Sequence, residues 1–143
     1  MNTIKNENYF FNEAEYEQAS NSYLMSVVAI IGGLPLPIFN LLATLIFYFY
    51  NRKKSHFIRW HCTQALLMQL FLFIINSINI SWTIRIVFGS AQLTNSYIAY
   101  LICVVIFNIV DLFITIKVAS KVRNGATINL WFFTELTHLI CKK

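Results

Sequence analysis

Residues 51–69 read NRKKSHFIRWHCTQALLMQ. The stretch opens on Arg52, Lys53 and Lys54, passes His56, Arg59 and His61, and runs without a break into an apolar segment. A second apolar segment precedes it. A charged hinge between two greasy segments marks where a chain leaves a bilayer and goes back in. Composition agrees. The 143 residues are 57% hydrophobic and only 12% charged, against about 25% charged in a soluble domain. Such a chain cannot cover a water-facing surface with polar groups. The net charge of +5 comes from basic residues that flank apolar spans, the footprint of membrane orientation. Nucleic acid is therefore not an expected partner.

Upstream of the hinge, Gly32, Gly33, Pro35 and Pro37 interrupt the apolar pattern. The glycines release a helix, and each proline lacks an N–H and clashes with the preceding turn. Two threadings follow. In one, residues 16–31 and 36–50 form two short helices joined as a hairpin. In the other, residues 23–50 form a single broken span. Fifteen helical residues reach only ~23 Å, short of a ~30 Å hydrocarbon core. Residues 57–80 are long enough to cross. Residues 81–96 read as the far-side loop, with Trp82 at its edge and Arg85 as its only formal charge. Residues 97–118 form the last span, followed by Lys121, Arg123 and the helix-ending pair Asn124-Gly125. Residues 128–140 are too short and polar to span. Phe132, Phe133, Leu136, Leu139 and Ile140 share one helical face opposite Glu135 and His138, which reads as an interfacial helix anchored by Trp131.

The expected fold is thus an all-α polytopic membrane protein, a four-helix bundle (alternatively three spans) plus a short C-terminal interfacial amphipathic helix. The expected organisation is a flexible polar tail over 1–12, a transmembrane helical domain over 13–125 and the interfacial helix over 126–143. Glu7, Glu13, Glu15 and Glu17 against Lys5 do not resemble a secretory signal, so no cleavage is expected. The basic hinge and the Lys117, Lys121 and Arg123 group fall on one side, expected to be cytoplasmic. Location in a bacterial inner membrane follows.

Polar residues inside the spans carry the functional information. At ~100° per residue, His61, Gln64, Gln69, Asn76 and Asn79 fall within ~140° of each other on the third helix. Asn108, Asp111 and Thr115 share a face of the last span, and Asp111 is the only acidic residue in the two long spans, 57–80 and 97–118. Two readings stay open. The groups are hydrogen-bonded glue between packed helices, or they line a hydrated path with Asp111 as a proton or cation site. Asp111 is expected nearest His61, Gln64 or Gln69. The odd set Cys62, Cys103 and Cys141 implies no disulfide framework. His56, His61 and Cys62 lack metal-ligand spacing, so no metal is expected. No phosphate loop or nucleophile elbow is present, and no enzyme or cofactor is expected.

Phe39 to Phe47, followed by Ser55, Phe57-Ile58-Arg59, His61, Gln64-Ala65-Leu66 and Gln69, resembles small bacterial membrane proteins related to the twenty-kilodalton Tic subunit of the chloroplast inner-envelope translocon. The resemblance covers residues 16–125 in architecture and about 30 residues in motif. It implies four helices, supports the hairpin and makes His61, Gln64 and Gln69 the family-like positions. Ala43-Thr44 stands where those relatives carry Gly-Pro, and the extension from Thr127 lies outside their pattern. The function implied is an accessory or assembly subunit of an inner-membrane complex, protein translocation included, with other subunits or further copies as partners. The alternatives are a small-solute or proton channel subunit, and a sensor in which Arg52, Lys53, Lys54 and Arg59 read anionic lipid headgroups.

Overall fold

The computed structural model describes residues 3–4, 12–31, 37–89, 91–128 and 130–141. Five helices account for nearly all of them: α1 (Glu13–Ile31), α2 (Pro37–Asn51), α3 (His56–Val87), α4 (Asn95–Arg123) and α5 (Trp131–Ile140). A two-residue antiparallel pair joins β1 (Thr3–Ile4) to β2 (Thr127–Ile128), with Thr3 opposite Ile128 and Ile4 opposite Thr127. Two residues of the expected tail are thus paired to the segment that leads into α5; residues 1, 2 and 5–11 lie outside the described part.

Four expected boundaries are corrected. Helix α3 does not stop at Ile80 but continues to Val87. The expected loop over 81–96 shrinks to a short connection between Val87 and Asn95. Nothing in residues 81–87 breaks a helix, and the Trp82 ring packs on Tyr97 and Tyr100 of α4, with centroids 5.7 and 6.0 Å apart. The stop comes at Gly89, whose φ of 75° suits a residue without a Cβ. Helix α4 runs on to Arg123, and its N-cap Thr94 accepts from the Tyr97 N–H at 3.3 Å. The last helix begins at Trp131, because Thr127 and Ile128 pair with β1 instead.

Of the expected helix breaker, Gly32, Gly33 and Pro35 lie outside the described residues. Pro37 is the first residue of α2, where a missing N–H costs nothing because the first-turn donors lack intrahelical partners. Helices α1 and α2 pack on each other. Helix α1 also contacts α3 and α4, α2 contacts α3, and α5 lies on α3.

Among the described residues, helices α3 and α4 are the two long and apolar enough to cross a membrane. Their 32 and 29 residues span ~48 and ~44 Å. They leave Phe71, Ile74, Ile78, Ile106, Phe107, Val110 and Phe113 exposed, Phe113 at 69%. Water would not tolerate such a continuous apolar surface. The buried cluster sits where α1, α3 and α4 meet near the basic end: Ala19, Tyr23, Phe57, Ile58, Cys62, Ala65, Met68, Val118, Ala119 and Val122. Small residues bring α1 and α4 close, and the Ser20 hydroxyl donates to the Ala119 carbonyl at 2.8 Å.

Candidate functional site

The polar groups of α3 form a seam with four distinct stations. At the basic end, His61 and Gln64 are fully buried. The Tyr23 hydroxyl of α1 lies 2.9 Å from His61 Nδ1 and donates to Gln64 Oε1 at 2.7 Å. A hydroxyl has one proton. Given to Gln64, it leaves the Tyr23 oxygen to accept from His61, which assigns the imidazole proton to Nδ1. Gln64 Nε2 donates to Thr134 Oγ1 of α5 at 3.3 Å, and that hydroxyl donates to the Leu130 carbonyl at 2.9 Å. Phe57 and Trp60 stand edge-on to the imidazole at 4.7 and 4.8 Å. One tyrosine of α1 therefore ties α3 and, through Gln64, the last helix. The far end of α5 is held too: His56 Nε2 lies 3.2 Å from the Cys141 carbonyl, and Thr63 Oγ1 3.2 Å from the Cys141 sulfur.

One station deeper, Gln69 and Thr115 flank the Asp111 carboxyl. Of the three expected neighbours of Asp111, Gln69 is the one beside it. These three side chains line a cavity of about 190 Å³ together with Ser26 of α1, Asn40 of α2 and Asn108 of α4. The third station is a reciprocal amide pair. Asn76 Nδ2 donates to Asn108 Oδ1 at 3.2 Å and Asn108 Nδ2 to Asn76 Oδ1 at 3.0 Å. The remaining amide protons go to the Leu72 and Val104 carbonyls. At the far end, Thr83 Oγ1 lies 2.9 Å from the Tyr97 hydroxyl, while Tyr100 donates to the Ile75 carbonyl at 3.1 Å. Asn79 has no such cross-helix bond: its buried Oδ1 meets no partner among the described residues.

The seam thus draws on more of the chain than the two long helices. Tyr23, Ser26, Asn40 and Thr134 were not among the expected site residues. The first two carried a signal, since Ala19, Tyr23 and Ser26 recur at i, i+4 and i+7 on one face of α1. Asn40 and Thr134 did not stand out, because α2 also carries Thr44 and Asn51, and α5 also carries Glu135, Thr137 and His138.

The hinge makes a separate surface. Arg52, Lys53 and Arg59 line a shallow cavity of about 320 Å³ with Tyr48, Ile140 and Cys141. The Arg52 guanidinium lies over the Phe49 ring at 5.4 Å and the Lys54 ammonium over Tyr50 at 4.7 Å, cations held against the negative faces of aromatic rings. Lys54 also donates to Gln18 Oε1 at 3.0 Å, and Arg123 pairs with Glu17 at 3.7 Å across an exposed edge.

Two long helices with lipid-compatible faces, joined inside by a buried polar seam, define a small helical membrane protein. Its family is shown by the chain's match, over residues 19–136, to the model of the magnetosome magnetite crystal formation protein family, MamF/MmsF; the chain belongs to that family. No curated protein and no solved structure matches it. The family match overturns the Tic-like resemblance. That resemblance rested on about 30 residues of a basic hinge followed by a polar-faced helix, a pattern that any pair of consecutive membrane helices with a buried polar contact can share.

Proposed function

We propose that this chain is a non-enzymatic structural subunit of the magnetosome membrane that takes part in forming the magnetite crystal. The observation that carries the reading is the family match across residues 19–136, which runs from α1 well into α5 and takes in every station of the seam. Its architecture supports a scaffold role. At the His61 and Asn76 stations polar groups hydrogen-bond across helices, while the outward faces of α3 and α4 are apolar and open to lipid or to neighbouring membrane subunits.

In this reading all four of α1 to α4 lie in the bilayer as a hairpin followed by two full spans. The hinge and the end of α4 face the cytoplasm, where Lys and Arg remain during insertion. Helix α5 lies along that interface. Arg52, Lys53 and Arg59 sit at headgroup level beside it, placed to meet anionic lipid. Copies of the same chain or other magnetosome membrane proteins are the partners.

The test is deletion of the gene in the producing bacterium, with crystal length and number measured by electron microscopy and the tagged protein followed through membrane fractionation. The expected result is co-purification with magnetosome membranes and an altered crystal size distribution that the wild-type gene restores. Unchanged crystals together with a protein spread evenly over all membranes would refute the proposal.

A further inference from the structure

The geometry points to a binding site for a monovalent metal cation, Na⁺ or K⁺, in the cavity beside Asp111. Four helices deliver oxygen atoms to it: Ser26 from α1, Asn40 from α2, Gln69 from α3, and Asn108, Asp111 and Thr115 from α4. Two of these oxygens are buried and unused. Thr115, only 2% exposed, holds its Oγ1 beside the carboxyl without completing a hydrogen bond, and Asn40 Oδ1 meets no partner among the described residues. Buried polar oxygens are normally satisfied, and two unpartnered oxygens on residues that line one cavity leave lone pairs open to a partner there. A metal cation or a donating water fills that role and an anion does not; the Asp111 carboxyl in the same lining favours the cation.

The donor set selects the kind of cation. All six side chains offer oxygen, with no thiol or imidazole among them, which suits a hard ion. Among the described residues lining the cavity, Asp111 is the one ionisable group. A single positive charge neutralises it. A divalent ion would leave a net charge deep among apolar helices, and uncompensated charge there is costly. At ~30 Å³ of liquid volume per water, the space holds an ion with a few retained waters. The Asn76–Asn108 pair fixes one wall, since the Asn108 amide protons are committed elsewhere and its oxygen keeps a free lone pair.

The site requires only that these helices pack as they do. It does not depend on the magnetosome assignment, so the two can fail separately.

The experiment uses the full chain in phosphatidylcholine nanodiscs, prepared in choline chloride and titrated with NaCl or KCl. Thermal unfolding is followed by circular dichroism and ion binding by sodium NMR linewidth. The expected result is a saturable rise in Tm with Na⁺ or K⁺ at constant ionic strength, absent in Asp111→Asn. Thr115→Val should weaken the apparent affinity by about ten-fold or more, whereas Thr115→Ser, which keeps the oxygen, should retain it. Helix content in choline identifies folded variants, and the Thr115 pair decides the matter if Asp111→Asn does not fold. A wild type without a saturable monovalent response overturns the site. So does a stronger response to Mg²⁺ or Ca²⁺, a response that survives in Asp111→Asn, or equal affinity in the two Thr115 variants.

Discussion

Replacing Tyr23 by Phe removes one oxygen atom and leaves the ring in place, which makes it the sharpest probe of the seam. The hydroxyl is the hub of the first station, donating to Gln64 at 2.7 Å and lying 2.9 Å from His61 Nδ1. Tyr23 is 2% exposed and both partners are fully buried, so no bulk water can take its place. The ring's edge-on packing against His61, with centroids 5.8 Å apart, survives the change. Each cross-helix hydrogen bond in a membrane is worth about 0.6 kcal/mol on average and up to ~1.7. Leaving a buried donor or acceptor unpaired costs ~1–3 kcal/mol. Two bonds are lost here, and Gln64 Oε1 and the His61 N–H are stranded together. The expected destabilisation is about 1–3 kcal/mol. Unfolding in mixed micelles by SDS titration, read by far-ultraviolet circular dichroism, measures it. A double-mutant cycle with Gln64→Met should show coupling of about 0.5 kcal/mol or more. A Tyr23→Phe protein as stable as wild type, or strictly additive with Gln64→Met, would refute the assignment of the hydroxyl as hub.

Other stations make separate demands. Asn76→Leu and Asn108→Leu alone should each destabilise by about 1 kcal/mol, because the half-buried partner amide loses both cross-helix bonds and keeps only the one to its own helix; the double variant should cost less than the two singles summed, measured by the same titration. Gly89→Ala should lower stability by about 1 kcal/mol through its left-handed backbone alone, as a Cβ there meets nothing within 4 Å. Thiol labelling in membranes should separate the cysteines. Cys62 and Cys141 are buried and should resist a membrane-permeant maleimide, whereas lipid-facing Cys103 should react with it and not with a water-soluble one; fast water-soluble labelling of Cys103 would contradict the membrane placement of α4.

Much of the candidate site was readable because membranes penalise polar groups. His61, Gln64, Gln69 and Asn76 stand out on α3 by periodicity alone, as do Asn108, Asp111 and Thr115 on α4. Where each group's partner lies was not readable. Gln64 and Asn76 differ little in sequence context, yet one is tied to α1 and α5 and the other to α4. Hydrogen bonding depends on which helices adjoin at each depth, and periodicity holds no information about neighbours. The short resemblance misled for the same reason: a hinge and a polar face describe one helix pair, while a family is carried by the whole chain.

The sequence by itself determined that this is a helical membrane protein with a basic hinge and a polar inner face. Both follow from local rules, the cost of charge in hydrocarbon and the 3.6-residue period. The tertiary structure alone decided that α3 extends to Val87, that α5 folds back onto α3, and that Ser26 and Asn40 meet Asp111 around one cavity. Those outcomes come from contacts between residues far apart in the chain: Trp82 on Tyr97 and Tyr100, Gln64 with Thr134, and oxygen atoms from four helices at one depth.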